Sequence, residues 1–152
     1  VMPVTRQKTS DASFRFIEAD RALHTADIRH IRHTVFVLEQ AIPASLEWDG
    51  LDTHCVHALG LLEDGRAVAT GRLQDDGRIG RMAVLQEWRG QGIGRAILEH
   101  LLGLARDREM GEVYLHAQAE AAGFYNRTGF SDSGKSFMEA GILHIEMRRR
   151  LA

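Results

Sequence analysis

The sequence is poor in cysteine and proline, and it lacks any long apolar run. Because the single cysteine, Cys55, cannot form an intramolecular disulfide, we expect a reducing, cytoplasmic setting. No apolar run reaches the roughly 18 residues that a membrane-spanning helix needs, so no membrane role is expected. A formal net charge of -2 disfavours a nucleic-acid partner, because such proteins carry basic surfaces.

The length of 152 residues fits one domain. A chain of this size buries about 68–70% of its unfolded surface and needs no covalent staple. No repeat or low-complexity linker divides it. Residues 1–12 are polar and are expected to form a flexible leader, which leaves 13–152 as a single domain.

Hydrophobic periodicity predicts strands and helices in alternating groups. The expected strands are residues 13–19, 54–62, 67–74, 78–85, 112–118 and 142–149, and the expected helices are 21–39, 93–110 and 119–128. Residues 40–53 have no period and are interpreted as a long functional loop. Strands 78–85 and 112–118 are joined through a helix, so they should be parallel neighbours. The predicted fold is a mixed α/β (α+β) arrangement with a mostly antiparallel sheet and flanking helices.

Three alternate glycines, Gly90, Gly92 and Gly94, lie between an apolar strand and an amphipathic helix. Glycine lets the backbone approach a ligand, and the first amides of a helix attract anions, so this loop predicts a phosphate site. A P-loop is excluded because Arg95, not lysine, follows the last glycine. The dinucleotide fingerprint is excluded because only Ile93 separates the last two glycines.

The run from Arg89 to Gly94 resembles the pyrophosphate loop of the GNAT superfamily of N-acetyltransferases. A second motif of that family, a helix with an aromatic-Tyr pair followed by Gly-Phe, is similar to residues 121–130. Further segments resemble the ElaA-like branch, at 36–40, 47–49, 52–54, 115–118 and 137–147. The resemblance covers nearly the whole chain and implies a splayed GNAT sheet of six to seven strands with one parallel pair.

The resemblance also implies acetyl-CoA as a co-substrate, with its pantetheine arm between the two parallel strands. The donor-binding residues that it implies are Met82, Ala83, Val84, Arg89, Gly90, Gln91, Gly92, Ile93, Gly94, Arg95, Gln118 and Tyr125. Many members have asparagine where this chain has Gln118.

Direct attack of a neutral amine on the thioester is the reaction that the resemblance implies. Tyr125 is expected to protonate the leaving thiolate, and His116 is one candidate for the general base. Other candidates are Glu39, Glu47, Asp49, Asp52, Glu139 and a water molecule. Glu39, Glu47 and Asp49 are also expected to bind a cationic acceptor, a small amine or a peptide amine.

Two alternatives stay open at this point. A module that binds acyl-CoA without catalysis would keep the same loop, although the presence of Tyr125 argues against it. Family members often dimerise through a sheet edge or the last strand, which leaves a homodimer open. No metal is expected, because the strand positions of His54, Cys55 and His57 point to opposite faces.

Overall fold

The computed structural model describes residues 14–151, so the leader expected at 1–12 lies outside the described residues. The strands are β1 (Phe14–Glu18), β2 (Val56–Leu62), β3 (Ala67–Leu73), β4 (Arg78–Val84), β5 (Glu112–Gln118), β6 (Ser131–Glu139) and β7 (Ile142–Arg150). The α-helices are α1 (Arg21–Arg32), α2 (Ala44–Glu47), α3 (Ile93–Asp107) and α4 (Ala122–Arg127). A π-helical segment, His33–Glu39, continues α1 without a break.

The strands form one sheet in the order β1-β2-β3-β4-β5-β7-β6. Neighbouring strands are antiparallel except β4 and β5, which α3 connects by a crossover. The predicted mixed sheet with one parallel pair is therefore confirmed.

β6 is the strand that hydrophobic periodicity missed. It lies at the sheet edge, and nearly all of its residues are exposed. Its pairing with β7 shifts register between Asp132 and Ser136, around Gly134 with φ of +93°. A polar, irregular edge strand has no alternation between a buried and an exposed face, so its sequence carries no strand signal.

β4 and β5 pair only at the first two residues of β4, where Arg78 faces Tyr114 and Ile79 faces Leu115. Beyond these pairs the two strands separate. β4 is irregular here, because its register with β3 shifts next to Arg81, which adopts a φ of +51°. Such a bulge bends a strand away from its neighbour, so it accompanies an opening in the middle of the sheet.

The sheet has a core on each face. α3 packs one face with a stripe that includes Ile97, Leu98 and Leu101, all fully buried. The other face is covered by α1 and the π-helical segment, whose Ile31 and Val35 are buried. Since burying such a side chain stabilises the fold by roughly 1.5–3 kcal/mol, these two stripes fix the helices on the sheet.

Two predicted helix ends differ from the structure. The helix predicted at 21–39 is continuous, but its last turns widen, and the Gln40 amide donates to the Val35 carbonyl at 3.1 Å. An ordinary helix would place Leu38 on the same stripe as Ile31 and Val35, but Leu38 is 67% exposed. α3 ends at Asp107 rather than at 110, because Glu109 adopts a φ of +59°. None of the helices within 14–151 has the length and apolarity needed to cross a bilayer.

Candidate active site

The gap between β4 and β5 leads into a cavity of about 410 Å³. β4 contributes Arg81 and Met82 to its lining, and β5 contributes His116 and Gln118. The ring of Tyr125, from α4, lines it as well. Of the two predicted motifs, the one that holds Tyr125 therefore lines the cavity, whereas no residue of the glycine loop from Arg89 to Gly94 does.

The remaining lining comes from two segments that are distant in sequence. The π-helical segment and the loop after it contribute the apolar side chains of Phe36, Ile42 and Leu46. β6 contributes Glu139 at its end, and β7 contributes His144. The cavity is thus apolar on one part of its surface and charged on another.

The glycine loop lies where β4 passes into α3. Gly90 and Gly92 have φ values of +81° and +83°, which favour glycine, and Gly92 is the N-cap of α3. A Cβ on either residue would meet no atom within 4 Å, so the space beside the loop is open. No side chain of the described residues caps α3. These exposed backbone amides and the helix dipole suit an anion.

Arg89 is fixed in place beside this loop. Its Nε donates to the Val84 carbonyl at 2.8 Å, and its two terminal nitrogens donate to the Glu39 carboxylate at 2.7 and 2.8 Å. The hydrogen bond from Arg89 holds the pKa of Glu39 below its ordinary value. This bidentate pair joins the end of the π-helical segment to the glycine loop.

Tyr125 points its hydroxyl at β4. Its Oη lies 3.8 Å from the sulfur of Met82, and its ring makes edge-to-face contacts with Phe124 and Phe130. Burial raises the pKa of Tyr125 to about 12. The phenol therefore stays protonated at neutral pH and can donate a hydrogen bond or a proton.

Gln118 makes a contact that links the two sides of the cavity. Its Nε2 donates to the Oε1 of Gln40 at 3.0 Å, and both residues line the cavity. This bond ties the end of β5 to the residue that follows the π-helical segment. The amide at position 118 is thus already engaged by another side chain.

His116 is half-buried on β5, with its ring 4.8 Å from that of Phe137. Burial and the nearby charge of Arg78 lower its pKa, although Glu139 and Glu146 oppose this. Its Nδ1 is buried, and no residue within 14–151 gives that atom a hydrogen bond. The imidazole is therefore neutral at pH 7 and keeps a nitrogen free for a proton.

Three arginines and three carboxylates fix the segment between α1 and β2. Arg32, 1% exposed, pairs with Glu47 and Asp52, and Arg72, also 1% exposed, pairs with Asp49 and Asp52. Arg81 pairs with Glu47 at 3.2 Å and Asp49 at 3.1 Å. We refer to these six side chains as the arginine–carboxylate network.

The network keeps Asp49 and Asp52 ionised. Burial acts to raise the pKa of Asp49, but hydrogen bonds from Arg72 and the Leu51 amide outweigh it and hold that pKa far below the ordinary value. The pKa of Asp52 is lowered in the same way by Arg32 and Arg72, again against burial. The six charges balance, so the network is a compact neutral unit.

The structure brings some of the predicted site residues together and separates others. Met82, His116, Gln118, Tyr125 and Glu47 line the cavity. Of the predicted acceptor-binding acids, Glu39 and Asp49 are not among the lining residues and are paired with arginines instead. Arg95 is exposed on the first turn of α3, while Ala83 is buried against α1.

Sequence reasoning did not assign Gln40, Arg78, Arg81 or His144 to the site. Arg78 and Arg81 are three residues apart, which places side chains on opposite faces of a regular strand. The bulge at Arg81 alters the alternation, so both side chains line the cavity. The two arginines of β4 were the available signal in the sequence. The face on which each arginine lies depends on the bulge.

His57 and the cysteine, both outside the cavity, have structural partners. His57 is buried, with Nε2 3.0 Å from the Asp52 carbonyl, and the Cys55 thiol lies 3.1 Å from the Leu51 carbonyl. Within 14–151, no group of three or more His, Cys, Asp or Glu side chains is placed to hold a metal ion.

Comparison with known proteins agrees with this geometry. Residues 24–151 match the acetyltransferase (GNAT) domain family. The uncharacterized N-acetyltransferase YjcF of Bacillus subtilis is 34% identical, over 81% of this chain and 90% of its own. An acyl-CoA N-acyltransferase structure from Pseudomonas aeruginosa is 34% identical, with 90% and 99% of the two chains covered and a TM-score of 0.80. Escherichia coli ElaA is 28% identical, covers 90% and 99%, and has a TM-score of 0.76.

The splayed sheet, the glycine loop and the family match together define an acyltransferase that uses acyl-CoA. The chain belongs to the GNAT acetyltransferase family. Its similarity to ElaA, both in sequence and in fold, confirms the branch that the sequence motifs indicated.

Proposed function

We propose that the protein transfers an acetyl group from acetyl-CoA to a primary amine by direct attack within a ternary complex. The observation that carries this proposal is that the buried phenol of Tyr125 lines a cavity at the opening between β4 and β5. The glycine loop follows the end of β4, outside that cavity, and adds an anion site at the start of α3.

Acetyl-CoA is a substrate of this reaction, and the residues around the opening fit it. The edge of β4 beyond Ile79, which has no β5 partner, suits the pantetheine arm, which would pair with it as an added strand near Met82 and Val84. The open space beside Gly90 and Gly92 suits the pyrophosphate. The donor site that we propose comprises Met82, Ala83, Val84, Arg89, Gly90, Gln91, Gly92, Ile93, Gly94, Arg95, Gln118 and Tyr125.

Tyr125 is the proposed general acid. When the C–S bond breaks, the electron pair goes to sulfur, and a protonated phenol at this position delivers its proton there. Burial keeps the phenol protonated, as the raised pKa of about 12 indicates. Its place beside Met82 puts the hydroxyl at the β4 side of the opening.

His116 is the proposed general base. Its lowered pKa leaves the ring neutral at pH 7, and its buried Nδ1 has no hydrogen-bond partner among residues 14–151. It lines the same cavity as Tyr125. An acid and a base on two elements of one cavity are what transfer from a thioester to an amine requires.

For the acidic residues we propose positioning roles in place of direct contact with the acceptor. Glu39 holds Arg89 beside the glycine loop. Glu47 and Asp49 hold Arg81 and, through the network, the loop before β2. Because each carboxylate already has an arginine partner, a cationic amine would have to displace that partner in order to bind.

The test combines binding with turnover. Isothermal titration with acetyl-CoA measures the donor site, and release of free thiol is then followed with polyamines, amino sugars, amino acids and peptides as acceptors. Binding together with amine-dependent thiol release supports the proposal. Binding without thiol release from any acceptor would instead support a silent acyl-CoA-binding module, and absence of binding would contradict both.

A further inference from the structure

One end of the cavity holds three charged or titratable side chains that no hydrogen bond joins. Arg78 begins β4, His116 lies on β5, and Glu139 ends β6. All three line the cavity. Arg78 and His116 lie on β4 and β5 near the end at which these two strands still pair, and Glu139 lies on the hairpin of β6 and β7.

Their separations are slightly longer than hydrogen bonds. A terminal nitrogen of Arg78 lies 3.7 Å from one Glu139 oxygen, and the Nδ1 of His116 lies 3.6 Å from the other. The buried Nε of Arg78 and the buried Nδ1 of His116 have no hydrogen-bond partner within 14–151. A buried polar atom without a partner is unfavourable, so this end of the cavity favours a polar guest.

Arg81 provides a contrast within the same cavity. Its guanidinium contacts the Glu47 carboxylate, the Asp49 carboxylate and two backbone carbonyls. Arg78 has only the loose contact with Glu139 among the described side chains. The buried Nε of each arginine has no hydrogen-bond partner within 14–151. One terminal nitrogen of Arg81 already donates to three oxygens, whereas no terminal nitrogen of Arg78 donates a hydrogen bond to a described residue, so Arg78 is the better placed of the two to bind an anion.

We propose, on the basis of the acetyl transfer described above, that the acceptor is a free α-amino acid. Its carboxylate binds the fork of Arg78, and its ammonium lies against Glu139 and beside His116. A guanidinium matches a carboxylate with two parallel hydrogen bonds. An α-amino acid carries both charges on one carbon, so it complements an arginine and a glutamate that face each other at this distance.

The apolar part of the cavity extends the match. Phe36, Ile42 and Leu46 contribute side chains to the same cavity, and Leu46 is 53% exposed. Covering this surface favours an acceptor with an apolar side chain, because burial of apolar area stabilises a complex. Leucine therefore serves as the reference acceptor.

The reaction balances with these groups. The ammonium loses one proton to His116, and the neutral nitrogen attacks the thioester carbon to form the C–N bond. The C–S bond breaks, the sulfur keeps the electron pair, and Tyr125 supplies its proton. When the amide forms, the nitrogen loses a second proton and keeps one. Tyr125 is reprotonated, and one proton per turnover passes to solvent.

The experiment compares L-leucine with two acceptors in which the carboxylate is changed or removed, L-leucinamide and 3-methylbutylamine. Spermidine is added as a polyamine acceptor, and thiol release is measured with all four. We expect kcat/KM for leucine to exceed that for leucinamide by about 10- to 100-fold, the range expected for a hydrogen-bonded charge pair. In Arg78→Met this preference should vanish, because kcat/KM should fall for leucine and stay the same for leucinamide. In Arg78→Lys the preference for leucine should be reduced but not abolished.

Two controls separate this effect from damage to the fold. The affinity for acetyl-CoA should be unchanged in both Arg78 variants, and Arg66→Met, at an arginine that is 69% exposed, should keep the wild-type preference. A wild-type preference for leucinamide or spermidine would overturn the amino acid assignment and leave acetyl transfer standing. An equal loss for leucine and leucinamide in Arg78→Met would also overturn it. Thiol release from no acceptor would overturn the proposed function itself.

Discussion

The two halves of the candidate site, a donor half and an acceptor half, are built from different kinds of contact. The donor half consists largely of backbone, with glycines at positive φ and a strand edge without a neighbour. The acceptor half is held by side chains, above all by the arginine–carboxylate network that fixes the loop before β2. The comparison shows why local sequence patterns reveal the donor and say little about the acceptor.

The network should carry the largest stability effect. Arg72→Met removes the arginine that Asp49 and Asp52 share. Both carboxylates are half-buried. Removal of one partner from a buried charged group costs about 3–5 kcal/mol, so the free energy of unfolding in urea should fall by that amount. Arg66→Met removes an exposed pair and should cost no more than about 1 kcal/mol. Equal losses in the two variants would show that the network is not structural.

The glycine loop should respond in the opposite way, with a loss of binding larger than its loss of stability. Gly92→Ala places a Cβ at a positive φ and in the open space beside the loop. We expect the affinity for acetyl-CoA to fall about 10- to 100-fold, by loss of hydrogen bonds to a charged group. Gly65→Ala has a comparable φ, also in open space, in the hairpin turn between β2 and β3, which is not part of the glycine loop. It should lose similar stability in thermal unfolding and no affinity.

The pH dependence tests the base on the border between the halves. Because the pKa of His116 is lowered, its neutral form persists to a pH below the ordinary value of about 6.5. The rate constant kcat/KM should therefore hold as pH falls to 6.5 and decline only below it, by about tenfold per pH unit. His116→Gln should have a lower rate and lack this decline. An unchanged acid limb in the variant would remove His116 as the base.

The link between the halves should give the smallest effect. Glu39→Gln keeps the shape of the side chain and removes the charge that pairs with Arg89. Because the pair is partly exposed, we expect the affinity for acetyl-CoA to change by only about two- to fivefold, as measured by titration. Glu63→Gln, outside the cavity and its network, serves as the control and should change nothing. A loss above 50-fold would mean that Glu39 does more than position Arg89.

Most of the fold was predictable from the sequence, because its strands and helices carry regular hydrophobic patterns. β6 was not, since an exposed polar edge strand buries no face. The π-helical segment was not either, because the spacing of its apolar residues also suits an ordinary helix, which misplaced Leu38.

The candidate site divides in the same way. Gly92 and Tyr125 lie in local motifs, so their positions follow from short stretches of sequence. The partners of Glu39, Glu47 and Asp49 do not, because each is an arginine distant in the chain that only the folded sheet brings close. The side on which Arg78 and Arg81 lie depends on a bulge that the strand pattern does not encode.

The most direct measurement of the central claim is the turnover of Tyr125→Phe with acetyl-CoA and a reactive amine. The phenol is proposed to donate a proton to sulfur and to contribute little to donor binding. We therefore predict a fall in kcat of about 100-fold, the lower range for a general acid, with an unchanged affinity for acetyl-CoA. Unchanged turnover would contradict the account, because the phenol at the opening between β4 and β5 would then take no part in the chemistry.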